Sequence, residues 1–236
     1  MSDTSRHRAG DSAELSGALS EGPLVTEGPG LLVMDVDSTL IEQEVIELIA
    51  ERAGTRELVA EVTARAMRGE LDFAASLRER VATLAGVPQG VFAEVLAEVR
   101  PTQGAAELIE ALHARGCRVG VVSGGFEEVV VPLAERLGID HVAANRLEVE
   151  GGRLTGRVLG RIVDRQEKVR CLIAWAQQDG VPMERTIAVG DGANDLGMLE
   201  AAGLGVAFCA KPVVVEQADA AIHVRDLRAV LQLIGG

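Results

Sequence analysis

Aromatic residues are scarce in this sequence of 236 residues. They make up 2% of it, with no tyrosine and a single tryptophan, Trp175. A hydrophobic core must therefore be built from valine, leucine, isoleucine and alanine, which favours a buried parallel sheet flanked by helices. The length suffices for one α/β core plus a smaller module, and it is too short for two full-sized enzyme domains.

Cysteines and long hydrophobic runs are also rare. Cys117, Cys171 and Cys209 are the three cysteines, and no two have the spacing of a zinc site. A small odd number is typical of reduced thiols and predicts a cytoplasmic protein. Residues 1–17 lack the apolar segment of a secretory signal, and no apolar run approaches the roughly 20 residues that would span a bilayer.

The chain carries a formal net charge of −13. Such an acidic protein repels nucleic acid and anionic membrane surfaces, so we expect neither as a partner. A phosphorylated small molecule is also an anion. A site for one would need a metal ion and a few well-placed cations to reverse the local field.

The sequence divides into a tail, a core and an insert. Residues 1–28 are rich in serine, glycine and acidic residues, and they predict a flexible N-terminal tail. Four stretches with helical spacing follow one another within residues 42–100 without an intervening strand, which predicts an inserted helical cap. The alternation of strands and helices in 29–41 and 101–236 predicts an α/β core with a Rossmann-like parallel sheet and helices on both faces.

Three apolar strands of this core end in small or acidic residues. The ends read D-V-D-S-T from Asp35, S-G-G from Ser123 and G-D-G-A-N-D from Gly190. Because the carboxyl ends of parallel strands meet at one edge of a sheet, we expect the three segments to form one site.

Carboxylates dominate the expected site. Asp35 and Asp37 lie two residues apart at a strand end, where one could act as a nucleophile and the other could handle a proton. Taken alone, such a pair is more often two solvated carboxylates. Asp191 and Asp195 are candidate ligands for Mg²⁺, which prefers hard oxygen donors, although the same loop could equally be a polar turn.

Phosphate binding requires donors and positive charge. Ser123 and Gly124 can offer a hydroxyl and backbone N–H groups to an anion, but a glycine turn after a strand is common without one. Lys168 would ordinarily be a surface lysine. It becomes a candidate because a phosphate dianion facing several carboxylates needs an ammonium nearby.

Together these motifs resemble the four ordered motifs of the haloacid dehalogenase-like phosphatases. They are D-V-D-S-T-L at 35–40, V-V-S-G-G-F at 121–126, Lys168, and G-D-G-A-N-D at 190–195. Each motif is weak alone, whereas the four in this order are specific. The insert resembles the helical cap of those members that hydrolyse O-phosphoserine, notably in D-F-A-A-S-L-R-E-R-V at 72–81.

The resemblance implies a Mg²⁺-dependent phosphomonoesterase that converts O-phosphoserine to serine and phosphate, the last step of serine biosynthesis. It implies that Asp35 becomes phosphorylated and that Asp37 protonates the leaving oxygen and then activates water. It also implies that Asp35, the backbone carbonyl of Asp37 and Asp191 ligate the metal, with Asp195 supporting them.

The same resemblance implies a substrate site shared between core and cap. The groups that would hold the phosphoryl oxygens are Ser123, Gly124, Lys168 and Asn194. Glu44 would bind the substrate ammonium and Arg80 its carboxylate, while Met67 and Phe73 would shield the site. Two alternatives stay open: a related enzyme that acts on another small phosphate or passes the phosphoryl group to an alcohol such as homoserine, and a non-catalytic protein that binds a phosphorylated ligand.

Overall fold

A computed structural model describes residues 15–235. Within this range the strands are β1 (Leu15–Ser16), β2 (Leu31–Met34), β3 (Arg118–Phe126), β4 (His141–Glu150), β5 (Arg153–Leu159), β6 (Thr186–Gly190), β7 (Leu204–Phe208) and β8 (Ala220–Ile222). The helices are α1 (Pro23–Thr26), α2 (Val45–Ala53), α3 (Arg56–Met67), α4 (Phe73–Ala82), α5 (Val91–Glu98), α6 (Ala105–Ala114), α7 (Glu127–Leu137), α8 (Arg165–Gln178), α9 (Leu196–Ala201), α10 (Pro212–Val215) and α11 (Ala229–Leu233).

The strands form one sheet in the order β1-β8-β7-β6-β2-β3-β4-β5. β2 lies in the middle and pairs in parallel with β3 on one side and β6 on the other. The pairs β3–β4, β6–β7 and β7–β8 are also parallel, while β1 and β5 pair antiparallel at the two edges. The strands that follow β2 in the chain therefore lie on both sides of it. In sheets with such a change of direction, ligands bind in the crevice at the carboxyl ends of the strands.

Helices cover both faces of the sheet. All four residues of β2 are buried, and they alternate between two hydrophobic clusters. Leu32 and Met34 belong to the larger cluster, and Leu31 and Val33 belong to the one on the opposite face. Burial on both faces explains the unbroken apolar run in the sequence, and it confirms the predicted α/β fold.

The second half of the predicted tail is packed rather than flexible. β1 adds to β8 at the edge of the sheet, Leu24 in α1 is 3% exposed, and the guanidinium of Arg185 donates to the Gly28 carbonyl at 2.8 Å. The prediction was wrong here for two reasons. Isolated leucines among polar residues carry no periodic signal, and β8, the strand that pairs with β1, lies near the other end of the chain. Residues 1–14 of the predicted tail lie outside the described range.

Five helices, α2 to α6, lie between β2 and β3 without a strand among them, and the first four, α2 to α5, fall within residues 42–100. The connection between α4 and α5 pairs with the β4–β5 hairpin through three backbone hydrogen bonds: Gly86 N to Leu154 O at 2.8 Å, Leu154 N to Val87 O at 2.9 Å and Gln89 N to Gly152 O at 3.0 Å. We keep residues 42–100 as a proposed cap, and these bonds tie its far end to the core.

The contact between β7 and α9 yields a prediction about stability. A Cβ added at Gly205 would lie 2.4 Å from the carbonyl oxygen of Leu199, so the helix would have to move. We expect Gly205→Ala to lower the free energy of unfolding by about 1–3 kcal/mol, as measured by urea denaturation.

Gly90→Ala is the matched control, because a Cβ there would meet nothing within 4 Å. Its free energy of unfolding should stay within about 0.5 kcal/mol of the original. Equal stability of the two variants would contradict the close packing of β7 on α9.

Candidate active site

The chain turns sharply where β2 ends. Residues Val36–Leu40 form an irregular turn in which Ser38 has a φ of 58°. The side chain of Thr102 donates to the Thr39 carbonyl at 2.7 Å and holds the turn against the core. As a result Asp35, which is 5% exposed, and Asp37 both line the same crevice.

A buried ammonium lies beneath this crevice. The Nζ of Lys168 is 2.7 Å from Asp35 Oδ1 and 2.6 Å from Asp195 Oδ1, and the Lys168 side chain is 0% exposed. Only the Asp195 contact is aligned as a hydrogen bond, so the contact with Asp35 is an ion pair. Lys168 is the fourth residue of α8, whose first turn is capped by the Asp164 carboxylate accepting from Glu167 N at 2.8 Å.

The charges of this cluster stabilise one another. Burial lowers the pKa of Lys168, but attraction to Asp195 and Asp35 outweighs burial and leaves the pKa raised. The ammonium therefore remains charged at neutral pH. Burial and then repulsion by Asp195 hold the pKa of Asp35 well above its usual range, while Lys168 opposes that rise.

Two further aspartates in the crevice, Asp37 and Asp191, also favour the protonated form more than usual. Burial, followed by repulsion from Glu44, raises the pKa of Asp37 to about 8. Burial and then Asp195 and Glu44 raise the pKa of Asp191 to about 6. A carboxyl group with a pKa of about 8 keeps its proton at neutral pH, so Asp37 can donate it to a leaving group.

Three of these carboxylates suit a metal ion. One oxygen each from Asp35, Asp191 and Asp195 lies within 4.8 Å of the others. Both Asp195 oxygens already accept hydrogen bonds, from Lys168 and from Gly192 N at 3.0 Å. Asp35 and Asp191 therefore offer the hard oxygen donors that fit a divalent cation, and its charge would favour their ionised forms.

Glycines at the end of β3 allow close approach to the crevice. A Cβ at Gly124 would lie 3.0 Å from the ring of Phe73, and one at Gly125 would lie 3.1 Å from Asp37 Oδ2. The buried hydroxyl of Ser123 accepts a hydrogen bond from Gly125 N at 2.8 Å. The loop thus presents backbone rather than side chains to the crevice.

The crevice opens into a cavity of about 510 Å³ between the strand ends and the inserted helices. Glu44 and Arg80 bring opposite charges to it from the insert. Ser38 Oγ donates to Glu44 at 2.9 Å, and burial raises the pKa of Glu44 and lowers that of Arg80. A zwitterionic group on a small ligand would meet complementary charges at this side of the cavity.

Most of the predicted site residues meet in this cavity. Those that line it are Asp35, Asp37, Glu44, Phe73, Arg80, Gly124, Asp191 and Asn194. Ser123 and Lys168 lie fully buried beneath its floor. Met67 ends α3, and its side chain lies outside the described part of the structure.

Two cations at the cavity were missed by the sequence reasoning. Arg165 begins α8 and Lys211 follows β7 by three residues, and both line the cavity. Lys211 could have been found, because it follows another parallel strand at the same edge of the sheet. Arg165 carried no such signal, since only the fold turns the start of α8 toward the strand ends.

Fold and site together define an α/β enzyme core with a carboxylate-rich crevice under a helical insert. The chain matches the model for haloacid dehalogenase-like hydrolases over residues 32–200. That match covers more than half of the chain, so the chain belongs to the haloacid dehalogenase-like hydrolase family.

Relatives of known function are highly similar. The chain is 54% identical over 210 residues to the phosphoserine phosphatase of Streptococcus thermophilus, which covers 89% of this chain and 98% of that protein. It is 60% identical over 205 residues to the phosphoserine phosphatase of Streptomyces coelicolor, covering 87% of this chain but only 50% of that longer protein. The chain therefore spans almost all of one relative and half of the other.

Solved structures agree with these relatives. A substrate-bound phosphoserine phosphatase complex superposes with a TM-score of 0.82 at 45% identity, covering 87% of this chain and 98% of the other. A phosphoserine phosphatase with an analogue of its phospho-aspartyl intermediate gives the same TM-score and identity, covering 87% and 99% of the two chains.

The buried ion cluster leads to a prediction about stability. Lys168→Met would leave Asp35 and Asp195 buried without their cation, so we expect the free energy of unfolding at pH 7, measured without added metal, to fall by about 3–5 kcal/mol. The pKa of Asp35, already raised by burial, would then lie further above its unfolded value because Lys168 no longer opposes the rise. The loss should shrink as the pH is lowered toward 5, because the folded protein takes up protons more readily than the unfolded chain.

Arg170→Met serves as the control on the same helix, since Arg170 is half exposed and pairs only with its neighbours. It should cost no more than about 1 kcal/mol. Equal losses for the two variants in urea denaturation would show that the buried ion cluster does not stabilise the fold.

Proposed function

We propose that this chain is a phosphoserine phosphatase that works through an aspartyl-phosphate on Asp35. One observation carries the proposal: Asp35 and Asp37 line the same cavity, whose cap side presents Glu44 and Arg80. The high identity to phosphoserine phosphatases supports it.

In the first step, a carboxylate oxygen of Asp35 attacks the phosphorus of O-phosphoserine. The bond between phosphorus and the serine oxygen breaks, and Asp37 gives its proton to that oxygen, so serine leaves as a neutral alcohol. The raised pKa of Asp37 keeps this proton available at neutral pH.

In the second step, water attacks the phosphorus of the aspartyl-phosphate. Asp37, now ionised, takes a proton from that water, and the bond to the Asp35 oxygen breaks. Inorganic phosphate leaves and both carboxyl groups return to their starting states. The same carboxyl thus acts as acid and then as base.

The remaining core residues bind the phosphoryl group and neutralise its charge. Ser123, Gly124, Lys168 and Asn194 hold the phosphoryl oxygens, and the Lys168 ammonium offsets the charge of the attacking carboxylate. Asp35, Asp191 and the backbone carbonyl of Asp37 hold Mg²⁺, which when bound supplies the positive charge that lets a phosphate dianion approach these carboxylates. Asp195 positions Lys168 and the loop at Gly192.

The cap residues select the amino-acid end of the substrate. Glu44 binds the ammonium, and the planar guanidinium of Arg80 binds the carboxylate. Phe73, whose ring would lie 3.0 Å from a Cβ added at Gly124, shields the reaction from bulk water. Met67 remains a predicted partner in this role. A zwitterion needs one acid and one base at its end, and both are present.

The proposal includes the cellular location of the enzyme. No helix among the described residues is long and apolar enough to cross a membrane. Cys117, Cys171 and Cys209 are free thiols, which supports a cytoplasmic location for the proposed enzyme. The proposed reaction is the last step of serine biosynthesis.

The deciding experiment measures phosphate release from O-phosphoserine with Mg²⁺. We expect turnover that EDTA stops, and Asp35→Asn should abolish it because an amide cannot form the phosphorylated intermediate. Asp72→Asn is the control, since the exposed Asp72 caps α4 and asparagine caps a helix about equally well.

The other outcomes separate the competing functions. Phosphohomoserine formed when homoserine is added would indicate a phosphotransferase. Binding of O-phosphoserine without any phosphate release would indicate a non-catalytic protein. Measurable turnover by Asp35→Asn would remove Asp35 as the nucleophile.

Arg80 gives a test of substrate selection. We expect Arg80→Ala to raise the KM for O-phosphoserine about 10- to 100-fold, the value of a charged hydrogen-bonded contact. The KM for an aryl phosphate, which has no carboxylate to bind, should change little. Steady-state kinetics with both substrates measure the difference.

Arg78→Ala is the matched control on the same helix, because Arg78 is exposed to solvent. It should leave both KM values unchanged. If Arg80→Ala affected the two substrates equally, Arg80 would have no part in recognising the carboxylate.

A further inference from the structure

Asn145 is a buried polar side chain that does not line the cavity, yet it contacts two parts of the site. It lies in β4 and is 1% exposed. Its Nδ2 donates to the Gly124 carbonyl at 2.8 Å, and its Oδ1 accepts from Val163 N at 2.9 Å. Both ends of the amide are therefore used by backbone groups.

The first bond fixes a peptide plane at the crevice. The pairing of β3 with β4 is irregular between Val122 and Phe126, so the loop lacks its regular ladder partner. In a planar trans peptide, the carbonyl of Gly124 and the N–H of Gly125 point in opposite directions. Asn145 holds that carbonyl and the Ser123 hydroxyl holds that N–H, which leaves the plane no freedom to rotate.

The second bond fixes the start of the helix that carries the ammonium. Val163 directly precedes Asp164, the residue that caps α8. Lys168 is the fourth residue of that helix, and its Nζ reaches Asp35 at 2.7 Å. Asn145 thus joins the glycine loop and the lysine helix at one buried point.

We propose that Asn145 is a positioning residue that sets the glycine loop and Lys168 at the correct separation around the phosphoryl group. The inference rests on the proposed phosphatase function and adds a residue that touches neither substrate nor metal. Asparagine suits the position because one backbone partner needs a donor and the other an acceptor. Aspartate has the same shape, but when ionised it cannot donate to the Gly124 carbonyl.

Asn145→Asp tests the proposal. We expect kcat/KM for O-phosphoserine to fall about 10- to 100-fold, because small displacements of positioning groups have effects of this size. The inhibition constant of inorganic phosphate should rise in the same variant. Asn145→Ala, in which a water could bridge the two backbone groups, is the second variant and should show the same changes.

Thr186→Val is the matched control for lost buried hydrogen bonds. Thr186 is fully buried at the start of β6, the end far from the crevice. Its hydroxyl donates to Met183 O at 2.7 Å and accepts from Gly203 N at 3.1 Å, so valine also leaves two backbone groups without a partner. We expect it to lower the melting temperature as much as the Asn145 variants while leaving kcat/KM and phosphate inhibition unchanged.

The outcomes separate the two proposals. An original chain without turnover of any phosphomonoester would refute the proposed function. An active original chain, with Asn145 variants that match Thr186→Val in kcat/KM and phosphate inhibition, would refute the positioning role alone. Failure of both Asn145 variants to fold, judged by circular dichroism, would make Asn145 a structural residue and would refute that role as well.

Discussion

The arrangement of the site depends on one buried ammonium group, that of Lys168. The parallel sheet brings Asp35 and the Gly190–Asp195 loop to one edge, and without compensation their carboxylates would repel one another in a medium of low polarity. Lys168 lies against Asp35 and Asp195 and reduces that repulsion. The same contact that stabilises the folded chain also moderates the charge of the proposed nucleophile, so stability and reactivity depend on one side chain.

Around this ion cluster, backbone groups do much of the positioning. Gly124 and Gly125 allow Phe73 and Asp37 to approach the loop. The loop's peptide is then fixed by polar side chains behind it rather than by the sheet ladder, which is irregular there. The site therefore combines close approach of Phe73 and Asp37 on the cavity side of the loop with hydrogen bonding on its buried side.

Local patterns in the sequence predicted the α/β fold and the acidic strand ends, and the family resemblance added the cap residues Glu44, Phe73 and Arg80, which also line the cavity. Apolar runs that end in carboxylates identify strands and their active edge, and this logic located Asp35, Asp37 and Asp191. It failed for β1, whose partner strand lies more than two hundred residues away in the chain. It also failed for Asn145, since a polar residue inside an alternating strand looks solvent-exposed until the loop beside it is known. Non-local contacts of this kind cannot be read from spacing.

The hydrogen bonds between the α4–α5 connection and the β4–β5 hairpin limit how the insert can move. Gly86 and Gln89 pair with the hairpin, and Gly156 packs against Ala82 with a positive φ of 83°. The insert is thus clamped at one end, while its other end joins the core through the turn after β2. Separation of the whole insert from the sheet to admit a substrate would therefore have to break these hydrogen bonds.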